Sequence, residues 1–313
     1  MPSVYLRKAL YFILIVSDDL VGGRFRVIGQ RERHMIPPLA NRFVAGTTDS
    51  EALDHVADLN SEGIGGILNL LGEHYHERDP ADGDADQYID LATTLATRDL
   101  DGSISVKPSQ IGIDIGPTPF EENFARIVEA AAAEDVFVWC DIEDHTTTDT
   151  TLDAVGSMAR EYPGQVGVAL QANLKRTRED IRRFADLPAA VRLVKGAYDE
   201  PPSVAHQKKE YVNEAYEDYL EFMFREFDGG IAVGSHDPTM IDRAVELHDE
   251  YGTDFEIQML MGVREDAQRE LASQGYEVNQ YVPYGDKWFQ YFYRRIRERK
   301  ENVIFAVRAI VGV

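Results

Sequence analysis

From Arg42 onward, short runs of β-branched and apolar residues alternate with longer stretches whose apolar positions recur every three or four residues. A run of four to eight apolar residues bounded by turn signals predicts a strand buried on both faces. Eight such runs occur: Gly66–Leu71, Ile104–Lys107, Val136–Asp141, Val166–Gln171, Val191–Lys195, Ile231–Ser235, Phe255–Leu260 and Gln280–Tyr284. Between them, Phe120–Ala133, Thr148–Glu161, Arg176–Ala185, Gln207–Phe227, Pro238–Tyr251 and Arg264–Gln274 carry the helical period. A further helix over residues 50–62 precedes the first strand and is expected to cap the lower end of a barrel.

Eight strands alternating with helices is the number that closes an α/β fold of the (β/α)8 TIM-like kind. An open doubly wound sheet needs a glycine-rich phosphate loop after its first strand. Leu71-Gly72-Glu73 stands there instead, and neither GxGxxG nor a P-loop occurs anywhere in the chain. The reading is one barrel domain over residues 35–313. Residues 1–34, with six basic and three acidic side chains, form an N-terminal extension to which no function is given.

Composition narrows the function. With 44% hydrophobic residues among 313, wholesale disorder is excluded. Fifty-five acidic residues against 32 basic ones, net −23, make a surface that repels phosphate backbones, so nucleic acid is not an expected partner. Of the basic residues 24 are arginine and only 8 lysine, a balance that resembles proteins of salt-loving archaea, where molar salt screens self-repulsion. A single cysteine, Cys140, permits no internal disulfide or cysteine metal cluster, and fits a reducing cytoplasm. It is expected to point inward as a core residue. The best apolar run, Ala9–Val16, is far short of the ~20 residues that cross a bilayer. The expected location is the cytoplasm, with the inner face of the membrane as a peripheral site.

Barrel enzymes carry their chemistry at the carboxyl ends of the strands. Those positions hold Lys107, Asp141, Gln171, Arg192, Lys195, Tyr198, Ser235, His236, Leu260, Tyr281 and Tyr284. A final helix from near Asp286 adds Tyr291, Arg294, Arg295 and Glu298 at three- and four-residue spacing. Positive charge thus gathers at one rim of a strongly negative chain, which is unfavourable unless an anion binds there. Paired arginines oriented by a glutamate suit bidentate clamping of a carboxylate or phosphate, although in an arbitrary helix the same pattern is a solvated salt-bridging face. Two other readings stand beside this one. Asp141, His145 and His236 are the candidate ligands of a metal-dependent barrel hydrolase, against which the crowd of cations argues. A non-catalytic barrel serving as a binding module is the third.

Several blocks carry a resemblance from about Met35 to the end. They are RFVAG (Arg42–Gly46), NLLGE (Asn69–Glu73), ISVKPSQIG (Ile104–Gly112), LQANLKRT (Leu170–Thr177), RLVKGAY (Arg192–Tyr198), GSHD (Gly234–Asp237), EIQMLMG (Glu256–Gly262), YVPYG (Tyr281–Gly285) and YFYRRIRE (Tyr291–Glu298). Together they resemble the flavin-dependent proline dehydrogenase family, whose fold is a (β/α)8 barrel binding FAD. The resemblance implies that Arg294, Arg295 and Lys107 pair with the proline carboxylate while Glu298 steadies them. It implies that Tyr198, Leu260, Tyr281 and Tyr291 wall the substrate ring. Arg192 would lie near flavin N5, with Gln171 at the edge of the ring system and Ile142 packed beside it. Lys195, Gly196 and Ala197 would meet the pyrophosphate, Ser235 and His236 the remaining dinucleotide, and Asp141 would position the substrate or its neighbours. The implied reaction is hydride transfer from proline C5 to flavin, giving Δ1-pyrroline-5-carboxylate, with a membrane quinone as the implied electron acceptor. No aldehyde dehydrogenase segment follows the barrel, so a separate pyrroline-5-carboxylate dehydrogenase is expected to take the product. The chain departs from the family at Asp199-Glu200-Pro201-Pro202, where an aromatic residue often packs on adenine, and at GSHDP, which replaces a more usual threonine–histidine–asparagine.

Overall fold

The computed structural model describes residues 40–292. Its strands are β1 (Gly65–Leu70), β2 (Gly102–Val106), β3 (Val138–Asp141), β4 (Val166–Gln171), β5 (Ala190–Val194), β6 (Ile231–Gly234), β7 (Phe255–Leu260) and β8 (Glu277–Tyr284). All pair in parallel with their sequence neighbours, and β8 pairs with β1 from Gly65↔Asn279 to Leu70↔Tyr284, which closes the barrel. The helices are α1 (Asp49–Ser61), α2 (Arg78–Thr97), α3 (Pro117–Ala133), α4 (Thr148–Glu161), α5 (Thr177–Ala185), α6 (Lys209–Glu226), α7 (Pro238–Tyr251) and α8 (Glu265–Ser273).

Local chemistry starts these helices where the sequence allows it. Thr48 accepts from the Glu51 backbone N–H, and the Glu51 side chain returns to the Thr48 backbone, a capping box that opens α1. Asp237 caps α7 by accepting from Thr239 N at 3.2 Å, with Pro238 in the first turn.

The main core is a ring between barrel and helices. Outward-facing strand residues such as Leu68, Ile104, Val138, Val168, Leu193, Val233, Ile257 and Val282 pack there with the helix faces. Each such burial is worth roughly 1.5–3 kcal/mol. Inside the barrel only Ile67, Trp139 and Ala232 form a buried apolar cluster, with Phe137, Ala190 and Tyr281 against it. Room for the indole comes from Gly167, where a Cβ would lie 2.6 Å from Trp139 Cζ3. This small apolar plug leaves the upper interior to polar side chains.

Three expectations are corrected. The helix preceding β1 does not cap the barrel's lower end. Instead α1 packs on the flank of β1 and β8, with His55 Nε2 hydrogen-bonded to Gln280 Oε1 at 2.8 Å and Val56 pressed close to Gly66. Cys140 faces outward, into the helix-side core, because Asp141 and Trp139 take the inward positions of β3. Strand β8 begins at Glu277 instead of Gln280, since its first inward residues, Glu277 and Asn279, are polar and break the apolar run. The turn after β8 becomes helical at residues 288–292, where Trp288, Tyr291 and Phe292 pack with Ala40, Val44 and Leu71 over the rim. Arg294, Arg295 and Glu298 lie outside the described residues.

Candidate active site

A cavity of about 640 Å³ opens at the carboxyl ends of the strands, within the ~300–1,000 Å³ of small-molecule and cofactor sites. Its lining includes every described residue to which the resemblance gives a role, whereas Tyr284, buried in the helix-side core, and His145 lie outside it. Lys107, Asp141, Arg192 and Tyr281 line its depth with Tyr198, Leu260 and Tyr291; Ile142, Gln171, Lys195, Gly196, Ala197, Ser235 and His236 line the remainder.

Asp141 is the hub. Its Oδ1 receives Arg192 Nη2 in a short ion-paired hydrogen bond and Ser105 Oγ at 3.3 Å, while Oδ2 accepts the Tyr281 hydroxyl at 2.9 Å. Lys107 Nζ stands 3.6 Å from Oδ2, beyond direct hydrogen-bond reach, so its N–H donors stay available to another acceptor. Burial works against a charged Asp141, but Arg192, Lys107, Tyr281 and Ser105 together hold its carboxyl below the usual value. Burial likewise opposes the Lys107 charge, yet Tyr198, Tyr281, Asp141 and Glu143 raise its pKa well above the ordinary one. Both groups are therefore ionised at neutral pH.

Arg192, 4% exposed, is held on every side. Nη1 donates to Gln258 Oε1 at 2.8 Å and Nη2 also reaches Ser105 Oγ at 3.1 Å. Its guanidinium carbon lies 4.9 Å from the Trp139 ring and 5.6 Å from the Tyr281 ring, a cation–π arrangement that offsets part of its lost hydration.

The other half of the cavity is made by loops. Gln171 donates to Glu143 O at 2.6 Å and accepts from Ala197 N at 3.3 Å, tying the loops after β3 and β5 together. Lys195 Nζ contacts Asp237 Oδ2 at 2.6 Å and Asn213 Oδ1 at 2.7 Å, Ser235 Oγ accepts from Asp237 N, and His236 Nε2 accepts from Leu260 N at 2.8 Å. Gly196 has φ +109°, where a Cβ would lie 2.2 Å from Asn173 Oδ1, so the chain presents bare backbone to the cavity.

Sequence reasoning gave no site role to Ser105, Gln258 or Asn69, all inward-facing polar positions below the strand ends. Nor did it find the work of Glu143. The buried Glu143 carboxylate accepts from Ser109 N at 2.7 Å and Ser109 Oγ at 2.9 Å, and from the Tyr198 hydroxyl at 3.5 Å, joining three loops.

The residues present fit an anionic, hydrogen-bonding organic group. Lys107, Arg192 and Lys195 gather in one cavity of a chain with net charge −23. Asn69 Oδ1 and Asn173 Oδ1 are buried there or at its edge without a hydrogen-bond partner among the described residues. The hydrolase ligand set is not assembled. Asp141 is committed to Arg192, His145 to Glu200, and His236 to the Leu260 backbone. Among the described residues no three His, Cys, Asp or Glu side chains are placed to hold a metal.

A family model described as Proline dehydrogenase matches residues 52–308. This chain belongs to the proline dehydrogenase family. It is 33% identical over 276 residues to proline dehydrogenase 2 of Bacillus subtilis, covering 87% of this chain and 90% of that one. It is 35% identical over 297 residues to proline dehydrogenase of Deinococcus radiodurans, covering 91% and 94%. Among solved structures, the barrel matches proline utilization A (PutA) from Bdellovibrio bacteriovorus, inactivated by N-propargylglycine, with a TM-score of 0.76 at 21% identity. A point mutant of Bradyrhizobium japonicum PutA matches with a TM-score of 0.68 at 21% identity. The matches cover 82% and 87% of this chain but only 32% of either PutA chain, and they show the shared barrel. Proline dehydrogenases are flavin-dependent oxidoreductases.

Proposed function

We propose that this protein oxidises L-proline to Δ1-pyrroline-5-carboxylate with FAD as cofactor, the first step of proline catabolism. The observation that carries the reading is the cation-rich cavity centred on Asp141, with buried Lys107 charged and beyond hydrogen-bond distance of its ion-pair partner Asp141. The substrate carboxylate is the anion that completes it, with Arg294, Arg295 and Glu298 as proposed partners of Lys107 from outside the described residues. Tyr198, Leu260, Tyr281 and Tyr291 exclude water and press the ring into one orientation. A dry pocket already holding two cations disfavours an ammonium, so the secondary amine binds with its lone pair free.

Arg192, Gln171 and Ile142 are the residues that would hold the FAD ring system, with Lys195, Gly196, Ala197, Ser235 and His236 along the remainder of the molecule. When bound, FAD supplies the hydride acceptor. Asp141 serves by fixing Arg192 and Tyr281 in place. The catalytic domain is residues 35–313, with 1–34 an extension to it. Electrons pass on to a membrane quinone, and the product passes to a separate pyrroline-5-carboxylate dehydrogenase. Among the described residues no helix is long and apolar enough to cross a membrane.

The test is the visible spectrum of the purified chain in molar salt under anaerobic conditions. Flavin absorbance that bleaches with L-proline and persists with D-proline supports the reading. A flavin that L-proline leaves oxidised removes the substrate, and a chain that takes up no FAD removes the reading as a whole.

A further inference from the structure

Below the Asp141 hub, the barrel axis continues in polar side chains, from Gln258 at the cavity floor to Glu256, Glu277 and Asn279 beneath it. β7 places Glu256 and Gln258 on its inner face, and β8 sets Glu277 and Asn279 beside them in the register Glu256↔Glu277 and Gln258↔Asn279. Gln258 makes two contacts of opposite kind. Its oxygen accepts from Arg192 Nη1 at 2.8 Å, and its NH2 group donates to Glu256 Oε1. The second oxygen of Glu256 accepts from Asn279 Nδ2 at 2.5 Å.

A carboxamide has one accepting end and one donating end, and an ionised carboxylate can only accept. Glu256 therefore fixes the NH2 end of Gln258 toward itself, which leaves the oxygen for Arg192. Turned the other way, the amide would set an NH2 group against the guanidinium and deprive it of an acceptor. We infer that Glu256 is a positioning residue for Arg192, acting through the amide of Gln258 from one layer beneath the site.

Protonation weakens that hold, since a carboxylic acid is a poorer acceptor for the Gln258 NH2 than the carboxylate. The charged or titratable groups facing Glu256 are Glu277 on β8 and Arg192 on β5, behind which stand Asp141 on β3 and Lys107 just after β2. Asp101, just before β2, meets the same end of the barrel beside Gly65 and Asn279. Burial and the like charge of Glu277 push Glu256 up to about 7, against the opposing pull of the Gln258 hydrogen bond and of Arg192. The ionisation of Glu256, paired with Glu277, thereby feeds through the amide to Arg192.

Trp139 is a built-in reporter, because Arg192 lies over its ring and the chain holds only two tryptophans. The full-length protein, as purified, is labelled with 5-fluorotryptophan, and a W288F variant assigns the two 19F resonances. The Trp139 resonance is expected to shift with a midpoint near pH 7 in the otherwise native chain. E256Q and Q258M are each expected to abolish the shift, E256Q by removing the titrating group and Q258M by cutting its link to Arg192. A shift that persists in E256Q assigns the titration to another residue and overturns the inference. One that persists in Q258M shows that Glu256 acts across space without the amide, and overturns it equally. Should E256Q fail to fold, Q258M decides alone. The catalytic consequence rests on the proline reading: kcat should fall about three- to tenfold on acidification through the same midpoint, and E256M, which offers the Gln258 NH2 no acceptor, should sit at the low plateau throughout. A 19F shift without any proline oxidation would refute the substrate and leave the positioning role standing.

Discussion

Two carboxylates share the interior of this barrel and respond to it in opposite ways. Asp141 at the top is held below its ordinary pKa of 3.8, whereas Glu256 lower down is pushed above its ordinary 4.5. Burial raises both, so burial does not decide. The difference is the partner. Asp141 touches a guanidinium and stands near an ammonium, while Glu256 is met by two neutral amides and a second glutamate. One interior therefore holds a fixed negative charge that anchors cations and a second group poised to change state near neutrality.

The largest effect should come from removing the fixed charge. D141A takes the anchor from Arg192 and Tyr281 and leaves two buried cations facing each other, and kcat/KM for L-proline should fall about 10²–10³-fold in steady-state assays. The same contact sets an acid dependence. A carboxylate with a depressed folded pKa stabilises the native state above its unfolded value and loses that contribution as pH falls through the folded value. Urea unfolding midpoints of the wild type and D141N should thus differ at neutral pH and draw together below about pH 4.

Next in size is K107M. The Lys107 ammonium lies 3.6 Å from Asp141 Oδ2, too far for a hydrogen bond, so its loss should raise KM about 10–100-fold and alter kcat much less. An equal fall in kcat with unchanged KM would place Lys107 on the reacting centre instead. Y281F removes one of the hydrogen bonds that keep Asp141 ionised, and a three- to tenfold loss in kcat is expected, roughly the worth of one such bond.

One effect, on stability instead of rate, has the opposite sign. Because the folded pKa of Glu256 is raised, its ionised form costs stability. That cost is absent below about pH 4.5, grows as pH rises, and is complete above about pH 7. E256Q should be the more stable protein above neutrality, by on the order of 1–3 kcal/mol, and should lose the advantage in acid. Equal stabilities across that range would remove the contrast with Asp141.

The outline of this barrel was legible because strand residues facing the helices are Val, Ile and Leu, and because the rim residues sit where strand runs stop. Lys107, Asp141, Arg192 and Tyr281 were found on that basis and share one cavity. The lower interior left no such mark. Glu256, Gln258, Glu277 and Asn279 lie inside strands, where a polar residue ordinarily signals a solvent-facing position, so the pattern shortened β8 and gave none of them a role. Helix α2 escaped for a related reason: Pro80, Gly83 and four aspartates in its first half read as a loop, yet Ala81, Ala85, Tyr88, Leu91, Ala92 and Leu95 are buried along it. Tyr88 repays that burial in hydrogen bonds, donating to Ser105 O at 3.0 Å and accepting from Leu70 N at 3.2 Å beneath the site.

On this reading an acidic protein concentrates positive charge at one rim in order to bind a carboxylate beside a flavin. The most direct test compares anaerobic reduction of the bound flavin by L-proline and by L-prolinamide, which keeps the ring and amine but carries no negative charge. The account predicts saturable reduction by L-proline and a dissociation constant weakened at least about 100-fold for the amide, the loss of a charge-assisted pair. Equal affinity and equal reduction rates for the two would contradict it.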